Sequence, residues 1–576
     1  MASIVKKLLI ANRGEIALRV VRTAKEMGIS TVAVYSEQDR NSRYVDMADE
    51  AYLLSGDTYK DTYLNEDLLI DILHKTGANA VHPGYGFLSE VPSFAQKVED
   101  ARCHAWVGPH HTALVDLGDK ITARRVALRA KVPPVPGLSE PVTDVRTLLD
   151  FAHTHGYPIM MKRTDGGGGH GITVVHDDEE LRRFYMNHDA LQGGDLKEYF
   201  IEKFVDKARH VETQSGRDSH GNFTVYSTRD CSLQRRNQKL VEEAPAPFLS
   251  EEIISTLEEY SRRLFTTVGY VGLGTCEFMV TPNGKVYFLE VNPRLQVEHT
   301  VSEEVSGLDL VREQLNIAAG GELTRAPELR GHSFELRITS EDPATNLTPG
   351  SGTLEKIQWP AGPGVRIDTG VEQGDTISPK FDSMMGKVIV TAQNRLDAVA
   401  RVRRVLDELV IEGVPTPIPL FKEIFRNDDF TAEHGHPFAV STKWLERTYL
   451  NRTPASAASG QPASLAAAPG AAAPAAPDKS KSETFVIEMN NRRVKLTVPL
   501  DIVENITGSA RARGAKRPTQ PLRGAGLHNV ASMPPRPTTA PNPASSPPRC
   551  RPWSRASTCP KASRWPRATF WWCSNP

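Results

Sequence analysis

The sequence Phe288-Leu-Glu-Val-Asn-Pro-Arg-Leu-Gln-Val-Glu-His-Thr300 begins as an apolar strand and ends as a run of polar side chains. The strand, predicted over Val286 to Val291, must stop near Pro293, because proline donates no N–H and restricts the residue before it. Ligands of α/β proteins bind at the carboxyl ends of strands. We therefore interpret the segment as a functional site rather than a solvated loop, because it contains six polar side chains within ten residues. They are Glu290, Asn292, Arg294, Gln296, Glu298 and His299.

The spacing of these groups indicates what they bind. Glu290 and Asn292 are two residues apart, so their oxygens project to the same side of the strand and can hold a hard cation, Mg²⁺ or Mn²⁺. Arg294 can form a forked contact with a small planar anion. Glu298 is near enough in sequence to act on that anion as a base.

A second carboxylate is predicted to join this site. Glu277 lies in the apolar run Gly274–Val280, and a Pro282-Asn283-Gly284 turn separates that run from the Val286 strand. This pattern predicts a β-hairpin in which Glu277 lies beside Glu290. Two adjacent carboxylates repel each other unless a cation lies between them. The sequence thus predicts a metal–nucleotide site.

Length and composition restrict the class of protein. A chain of 576 residues is too long for one ordinary core and indicates three or more domains. The formal net charge of −1 argues against nucleic acid as a partner. We find no secretory leader and no apolar stretch of membrane-spanning length, so no membrane association is expected. The scattered cysteines show neither metal-binding spacing nor a disulfide framework, which favours the reducing cytoplasm.

The start of the chain predicts a parallel sheet. Apolar runs over Lys7 to Ala11 and Thr31 to Tyr35 flank an amphipathic helix that extends to about Met27. This βαβ pattern is typical of doubly wound α/β domains. No G-x-G-x-x-G turn follows the first strand, so a dinucleotide site is not indicated.

A glycine-rich loop follows a later strand. The predicted strand over Tyr157 to Lys162 ends in a lysine, and Asp165-Gly-Gly-Gly-Gly169 comes shortly after it. Glycines allow backbone N–H groups to approach phosphate oxygens closely, and the lysine adds a positive charge. The lysine precedes the glycines, so the loop is not a Walker A loop; a flexible surface loop is the alternative interpretation.

The C-terminal part of the chain changes in composition. Residues 452 to about 477 are rich in Ala, Pro, Ser and Gly and are typical of a flexible linker. Residues 484–500 alternate polar and apolar side chains, as in a small β-hairpin, and no Asp or Glu follows Glu504. This basic tail is either a disordered anion-binding arm or the product of a shifted reading frame. We favour the shifted frame, which resequencing of the gene would test.

Taken together, these motifs resemble biotin carboxylase, the ATP-grasp component of biotin-dependent carboxylases, over about residues 4–450. With its linker, the chain looks like the α-subunit of an acyl-CoA carboxylase whose C-terminal biotin carrier domain is lost or out of frame. The matching stretches are Ala11–Ala17, His82–Glu90, Gly118–Lys120, Gly166–Gly169, Asp230–Arg236, Lys239–Pro247 and Leu289–Thr300.

The resemblance implies a multidomain α/β and α+β fold. It places a Rossmann-like N-terminal domain over residues 1–117, an ATP-grasp domain over 118–330 with a mobile lid over about 133–205, and a mostly β C-terminal domain over 331–451. The expected remainder is a disordered linker over 452–482, a small β-hairpin remnant over 483–504, and a basic tail, disordered or frame-shifted, over 505–576.

The resemblance also implies a role for each site residue. Glu298 would deprotonate bicarbonate, which then attacks the γ-phosphate of ATP to give carboxyphosphate, and Arg337 would stabilise the biotin enolate. The metal ligands would be Glu277, Glu290 and Asn292. Bicarbonate would be bound by Lys239, Arg294, Gln296 and Val297. The nucleotide would be contacted by Lys120, Lys162, Gly166, Gly167, Gly168, Gly169, Glu202, Lys203, His210 and Gln234.

The expected partners follow from the same resemblance. They are ATP, bicarbonate, a carboxyltransferase β-subunit, further copies of this chain, and biotin, either free or on a carrier borrowed from another chain. A carrier domain needs a Met-Lys-Met tip, and the one Met-Lys pair here is Met161-Lys162 in the nucleotide site, so we expect no covalent biotin. The sequence departs from the family pattern at Arg163, His170, Thr228 and Asn237.

Two other functions remain open at this point. One is a different ATP-grasp ligase that activates a carboxylate as an acyl phosphate, although the Arg294 to Glu298 cluster suits a smaller anion. The other is a catalytically impaired protein that assembles with carboxylase subunits without turning over. Tight Mg-ATP binding without hydrolysis would favour this second alternative.

Overall fold

The computed structural model describes residues 5–101, 105–138, 144–163, 172–188, 196, 199–236 and 238–450, and the backbone of residues 482–489 and 492–499. The predicted linker and the predicted tail lie outside the described residues. None of the helices in the described part of the chain is both long and apolar enough to span a membrane.

The N-terminal region is a five-stranded parallel sheet in the order β3-β2-β1-β4-β5, which confirms the predicted doubly wound fold. Its strands are short and apolar because helices cover both faces of the sheet. The elements are β1 Lys7–Ile10, α1 Gly14–Glu26, β2 Ser30–Tyr35, α2 Arg43–Met47, β3 Glu50–Leu53, α3 Glu66–Thr76, β4 Ala80–His82, α4 Pro92–Asp100, β5 Ala105–Trp106 and α5 His111–Gly118.

The predicted lid has its own small sheet, of three antiparallel strands in the order β7-β6-β8. Apolar side chains of its strands and of two helices, including Leu148, Ile159, Leu181 and Ile201, form a buried cluster. The elements are α6 Lys120–Arg129, which precedes the lid, then α7 Val145–His155, β6 Ile159–Arg163, β7 Ile172–Val175, α8 Asp178–His188 and β8 Tyr199–Lys203.

The remaining elements include the eight strands of the largest sheet, three two-stranded sheets and several helices. In chain order they are β9 Arg209–Arg217, β10 Phe223–Arg235, β11 Gln238–Ala244, α9 Glu251–Thr267, β12 Gly272–Val280, β13 Val286–Asn292, α10 His299–Ser306, α11 Leu310–Ala318 and β14 His332–Thr339. They continue with β15 Glu341–Asp342, β16 Thr348–Pro349, β17 Gly352–Thr353, β18 Lys356–Gln358, β19 Val365–Thr369, β20 Thr376–Ile377, β21 Met384–Ala392, α12 Arg395–Glu408, β22 Val410–Glu412, α13 Ile418–Ile424 and α14 Asp428–Thr431.

This sheet has eight strands, in the order β13-β12-β9-β10-β11-β14-β21-β19. Strands β11 and β14 pair antiparallel, from Val241 with Leu336 to Ala244 with Ser333. The sheet is therefore continuous across residue 330, where the sequence predicts a domain boundary. The site residues of β11, β12, β13 and β14 consequently belong to one rigid surface.

A separate antiparallel hairpin is formed by β23 Ser482–Met489 and β24 Arg492–Pro499. It falls in the stretch for which the alternating sequence predicts a hairpin. Its interpretation as the remnant of a carrier domain stays a prediction.

A buried lysine connects three parts of the fold. Lys387 on β21 has no exposed surface and forms an ion pair with Glu15 of α1, 3.1 Å away. Its Nζ also donates to the Val297 carbonyl oxygen at 2.8 Å, and Tyr85 donates its hydroxyl to Glu15. Burial alone would lower the pKa of Lys387, but Glu15 and Glu335 raise it, so the amine remains charged.

A second buried ion pair joins β11 to α12. Arg395 donates to both carboxylate oxygens of Glu243, at 2.6 and 3.1 Å, and His332 Nε2 lies 2.7 Å from the same carboxylate. Burial alone would raise the pKa of Glu243, yet Arg395 and His332 lower it to about 2.

We expect Glu243→Gln to lower the free energy of unfolding at pH 7 by about 3–5 kcal/mol, because it leaves the buried Arg395 without its counter-charge. The wild-type pKa of Glu243 is depressed from 4.5 to about 2. Its ionic contribution is therefore complete above pH 4.5 and is lost as the pH falls toward 2.

Urea unfolding of the variant and the wild type between pH 7 and pH 4 tests this prediction. The difference between the two proteins should be constant above pH 4.5 and shrink below it. Glu412→Gln is the matched control, because Glu412 pairs with Lys356 on the surface and each side chain is about half exposed. A similar loss in both variants would contradict the prediction.

Candidate functional site

The site begins where β12 and β13 pair. Glu277 lies directly opposite Glu290 in this antiparallel register, which confirms the predicted hairpin. Strand β13 ends at Asn292, whose side-chain N–H donates to Glu277 Oε1 at 2.8 Å. The end of β13 thus brings three oxygen-bearing side chains together, those of Glu277, Glu290 and Asn292.

Glu277 is held by cationic and amide groups. Lys239 Nζ lies 2.9 Å from Glu277 Oε1, Gln296 Nε2 donates to the same oxygen at 2.8 Å, and His210 Nε2 lies 2.8 Å from Oε2. Burial would raise the pKa of Glu277, but Lys239 and His210 lower it well below its ordinary value. The Glu277 carboxylate is therefore ionised.

Lys239 is the central cation of the site. Its Nζ lies 2.6 Å from Glu212 Oε2, 2.9 Å from Glu277 Oε1 and 2.6 Å from Glu298 Oε1. Burial alone would lower its pKa, but Cys231 and the three carboxylates raise it well above the ordinary value. The ammonium thus neutralises a buried group of negative charges.

Glu298 and Arg337 form the part of the site nearest β14. Arg337 donates from Nη2 to Glu298 Oε2 at 2.9 Å and from Nε to Glu242 Oε1 at 2.6 Å. Burial would raise the pKa of Glu298, but Lys239, then Arg337 and Arg229, hold it far below the ordinary value. Burial raises the pKa of Glu242 to about 7, against the opposing effect of Arg337. Glu298 is therefore an ionised carboxylate that can accept a proton.

The donor set at the strand end fits a hard divalent cation. Burial, together with the nearby Glu277 and Glu90 charges, raises the pKa of Glu290, and Lys120 opposes this rise. A cation between Glu277 and Glu290 would relieve their repulsion. Two carboxylates and the Asn292 amide oxygen are the ligands that Mg²⁺ and Mn²⁺ prefer.

Arg294 connects this site to the N-terminal region. Its Nε donates to Glu90 Oε1 at 2.5 Å, and its Nη2 donates to Asn292 Oδ1 at 3.0 Å. Glu90 ends the stretch His82–Glu90, one of those that match the family, so the structure brings this stretch to the site. The guanidinium is thereby fixed between Glu90 and Asn292. Burial alone would lower its pKa, but the charges of Glu90 and Glu298 raise it.

The predicted nucleotide residues divide into two groups. Lys162 pairs with Glu202, and Arg124 Nη1 lies 3.3 Å from the same carboxylate. Lys203 Nζ instead donates to the carbonyl oxygens of Gly156 at 2.9 Å and Tyr157 at 3.1 Å. Adjacent residues of a strand point to opposite faces, so the side chains of Glu202 and Lys203 lie on opposite faces of β8, and contact of both residues with the nucleotide stays a prediction.

The other predicted nucleotide residues are placed as follows. Gln234 and His210 are buried neighbours, with Gln234 Nε2 3.4 Å from His210 Nδ1. Lys120 is the first residue of α6. The glycines Gly166, Gly167, Gly168 and Gly169 lie outside the described residues, as do His170 and Asn237.

The two remaining departures from the family pattern have local partners. The Arg163 guanidinium lies over the Tyr199 ring, 5.7 Å from its centroid. The Thr228 hydroxyl oxygen accepts the Ala246 N–H at 3.1 Å. Both contacts are within the protein fold.

Sequence reasoning missed Arg229, which orients several site residues. It is fully buried and donates to Glu212 Oε1 at 2.5 Å and to Gln296 Oε1 at 2.9 Å. Arg229 also donates hydrogen bonds to the side-chain oxygens of Gln214, Ser302 and Thr275. The sequence did carry one signal for this role, a charged residue within a strand. Charged side chains are almost never fully buried unless they are paired, so an arginine inside a buried strand indicates buried partners.

The chain is similar to known proteins along most of its length. Three family models match successive parts of the chain: "Biotin carboxylase, N-terminal domain" over residues 4–114, "Carbamoyl-phosphate synthase L chain, ATP binding domain" over 119–326, and "Biotin carboxylase C-terminal domain" over 335–447. A biotin-dependent acyl-coenzyme A carboxylase alpha3 subunit of Mycobacterium leprae is 42% identical over 94% of this chain and 89% of its own length. Biotin carboxylase 1 of Bacillus subtilis is 41% identical over 77% of this chain and 98% of its own.

Solved structures show the same similarity. The biotin carboxylase domain dimer of Hydrogenobacter thermophilus 2-oxoglutarate carboxylase, in complex with MgADP, ADP and bicarbonate, matches with a TM-score of 0.72 at 40% identity, covering 77% of this chain and 98% of that one. Biotin carboxylase from Campylobacter jejuni, in a β,γ-ATP complex, matches with a TM-score of 0.73 at 38% identity, covering 77% and 99%.

Proposed function

The chain belongs to the biotin carboxylase family, and from that premise we propose that it supplies the first half-reaction of an acyl-CoA carboxylase, such as an acetyl- or propionyl-CoA carboxylase. As a member of the family it is an ATP-dependent ligase that carboxylates biotin. One observation supports the acyl-CoA assignment. The similarity to the mycobacterial alpha3 subunit covers 94% of the chain, whereas that to pyruvate and 2-oxoglutarate carboxylase subunits covers 74–75%.

In the proposed mechanism, Lys239 and Arg294 bind bicarbonate, with Gln296 and the Val297 backbone completing its position. Glu298 removes the bicarbonate proton, and a carbonate oxygen then attacks the γ-phosphate, releasing ADP and leaving carboxyphosphate. Bicarbonate is a weak nucleophile until it loses this proton, so a carboxylate fixed by two cations suits the step. Carboxyphosphate breaks down to CO₂ and phosphate, and the released phosphate takes the N–H proton of the biotin ureido group. The deprotonated ureido nitrogen then forms its bond to CO₂, while Arg337 stabilises the enolate.

Phosphoryl transfer requires that the triphosphate be positioned and that its negative charge be neutralised. A Mg²⁺ or Mn²⁺ ion held by Glu277, Glu290 and Asn292 would supply part of the neutralising positive charge. Lys120 and Lys162 would contribute the remainder, with Glu202, His210, Gln234 and the glycines Gly166–Gly169 completing nucleotide binding. Carboxyphosphate hydrolyses readily, so closure of the predicted lid over the site would protect it from water.

We further infer that the chain works in the cytoplasm as a homo-oligomer with a carboxyltransferase β-subunit and with biotin that is free or on a separate carrier. The matched Hydrogenobacter domain is a dimer, which supports self-association. Cys231 and Cys276 are free thiols, as expected in a reducing compartment. Light scattering of the purified chain tests the oligomeric state, and a monomer at all concentrations would contradict it.

The proposed function is tested in two assays on the purified full-length chain. The first measures bicarbonate-dependent ATP hydrolysis with Mg²⁺, with and without free biotin, and biotin should stimulate it. The second adds a biotinylated carrier and a carboxyltransferase β-subunit and follows labelled bicarbonate into acetyl-CoA, propionyl-CoA, pyruvate or 2-oxoglutarate. Label in a keto acid alone would contradict the acyl-CoA assignment, and Mg-ATP binding without turnover would favour the impaired assembly protein.

The two lysines of the nucleotide prediction allow a direct comparison. Lys162→Met should raise the KM for ATP by at least about tenfold, since hydrogen bonds to charged groups are worth about 1.5–3 kcal/mol. Lys203→Met removes a side chain that donates to Gly156 and Tyr157 and should leave this KM nearly unchanged. Steady-state kinetics of both variants provide the measurement. Equal effects would mean that the Lys203 side chain contacts ATP, as the sequence predicts.

A further inference from the structure

Two histidines and a glutamate converge at the surface of the N-terminal region. Glu99 lies near the end of α4, His111 is the first residue of α5, and His110 caps that helix. One nitrogen from each imidazole and one Glu99 carboxylate oxygen all lie within 4.8 Å of one another. His111 Nδ1 is 2.5 Å and His110 Nε2 is 3.4 Å from Glu99 Oε2.

We propose that Glu99, His110 and His111 form a second metal site, which binds a transition-metal dication such as Zn²⁺ and is separate from the catalytic Mg²⁺ ligands. Two imidazole nitrogens and one carboxylate oxygen are a common ligand set for Zn²⁺, in which water completes the coordination. This set differs in kind from the all-oxygen set of Glu277, Glu290 and Asn292. Imidazole ligands favour Zn²⁺, Ni²⁺ and Cu²⁺ over Mg²⁺, so the two sites would select different ions.

The ligands are positioned before any ion binds. The His111 backbone N–H donates to Glu99 Oε1 at 3.1 Å, which leaves Oε2 directed at the two imidazoles. The Trp106 indole N–H donates to the Pro109 carbonyl oxygen at 3.0 Å and so fixes the backbone just before His110. A ligand set on rigid helix ends loses little conformational freedom when it binds an ion.

A neighbouring hydroxyl can accept the ring proton of His110 when a metal binds. As the cap of α5, His110 Nδ1 accepts the Thr112 N–H at 3.3 Å, so Nε2 carries the ring proton and lies 3.4 Å from Glu99 Oε2. A metal on Nε2 would displace that proton. A protonated Nδ1 would then donate to Thr112 Oγ1, 2.8 Å away, which is the usual pairing of a ligating histidine with a hydrogen-bond acceptor.

The site is also accessible to an ion and its waters. The His110 side chain is 59% exposed, whereas those of His111 and Glu99 are 25% and 21% exposed. One open side and two partly enclosed ligands allow solvent to fill the remaining coordination positions. The positive end of the α5 dipole opposes a cation, and the Glu99 charge offsets it.

The test is equilibrium dialysis of the full-length chain against Zn²⁺ in excess Mg²⁺, which occupies the catalytic carboxylates. The wild type should bind one tight equivalent of Zn²⁺ that both Glu99→Gln and His111→Asn lose. Thr112→Val retains all three ligands and should weaken that equivalent by about 10–100-fold, the usual effect of removing an outer hydrogen-bond partner. Replacing Zn²⁺ with Co²⁺ should give visible absorption bands that disappear in Glu99→Gln.

The matched control is the double variant His434→Asn/His436→Asn. These two exposed histidines also lie beside carboxylates, at 3.3 Å from Asp428 and 3.8 Å from Asp429. The control should keep the tight equivalent, and thermal unfolding with the ATPase assay should show that all variants are folded. Equal Zn²⁺ binding by wild type and Glu99→Gln, or loss of the equivalent in the control alone, would overturn the proposal.

Discussion

Replacing Glu298 with glutamine should lower kcat for bicarbonate-dependent ATP hydrolysis by about 10²–10⁴-fold, the usual contribution of a positioned general base. Glutamine has nearly the same shape but cannot accept the bicarbonate proton. The wild-type carboxylate is kept ionised because Lys239 and Arg337, at 2.6 and 2.9 Å, outweigh the effect of burial on its pKa. The pKa lies far below its ordinary value, so Glu298 should remain a base throughout the neutral and mildly acidic range.

The KM for ATP separates loss of the base from general damage to the site. Glu298 does not belong to the predicted nucleotide ligands, so its replacement should change this KM by less than about threefold, the scale of a weak indirect effect below 1 kcal/mol. Glu341→Gln is the control, because Glu341 accepts hydrogen bonds from Thr339 and Ser383 away from the bicarbonate residues. Hydrolysis by Glu298→Gln at the wild-type rate would show that another group removes the proton.

Lys239→Met should have the second largest effect, a fall of about 10²–10³-fold in kcat/KM for bicarbonate, as for loss of one electrostatic contact in a preorganised site. The substitution leaves Glu212, Glu277 and Glu298 without the ammonium they share. Their mutual repulsion should raise the pKa of Glu298, so that a larger fraction of this carboxyl is protonated at a given pH and cannot accept the bicarbonate proton. Uncompensated buried charge should also lower the free energy of unfolding, by about 3–5 kcal/mol.

Lys239→Arg distinguishes charge from position. It keeps the positive charge but spreads it over a planar group that cannot contact three convergent carboxylates as a compact ammonium does. We therefore expect stability close to that of the wild type with activity still reduced. Rate measurements at several bicarbonate concentrations, combined with thermal unfolding, give both values. Full activity in Lys239→Met would exclude the role assigned to this lysine.

The sequence was most informative where the chemistry is local. The polar cluster after Val291 could be predicted because alternation along a strand and the break before Pro293 act over a few residues. Pairing of Glu277 with Glu290 was also accessible, since a short turn sets the register of a hairpin. These two local rules located the residues that we propose as the metal ligands, the base and the neighbouring arginine.

Features that depend on distant contacts were not predicted. Arg229 and Lys387 each bind residues far away in sequence, at separations of 67 and 90 positions for Gln296 and Val297. The periodic pattern of apolar residues predicts local helices and strands but does not predict such a long-range contact. The continuous sheet across residue 330 was missed because apolar strands on either side of a boundary look alike in sequence.

The contacts of Lys387 have a consequence for how this protein can be dissected. One ammonium connects α1, through Glu15, and the segment around Val297 to its own strand β21. The smallest piece that can be expected to work therefore extends from the first helix to at least β21. A fragment comprising the ATP-grasp residues alone would leave the Val297 segment, which we propose binds bicarbonate, without this support. In chimaeras built from two relatives, residues 15, 297 and 387 should be exchanged together as one unit.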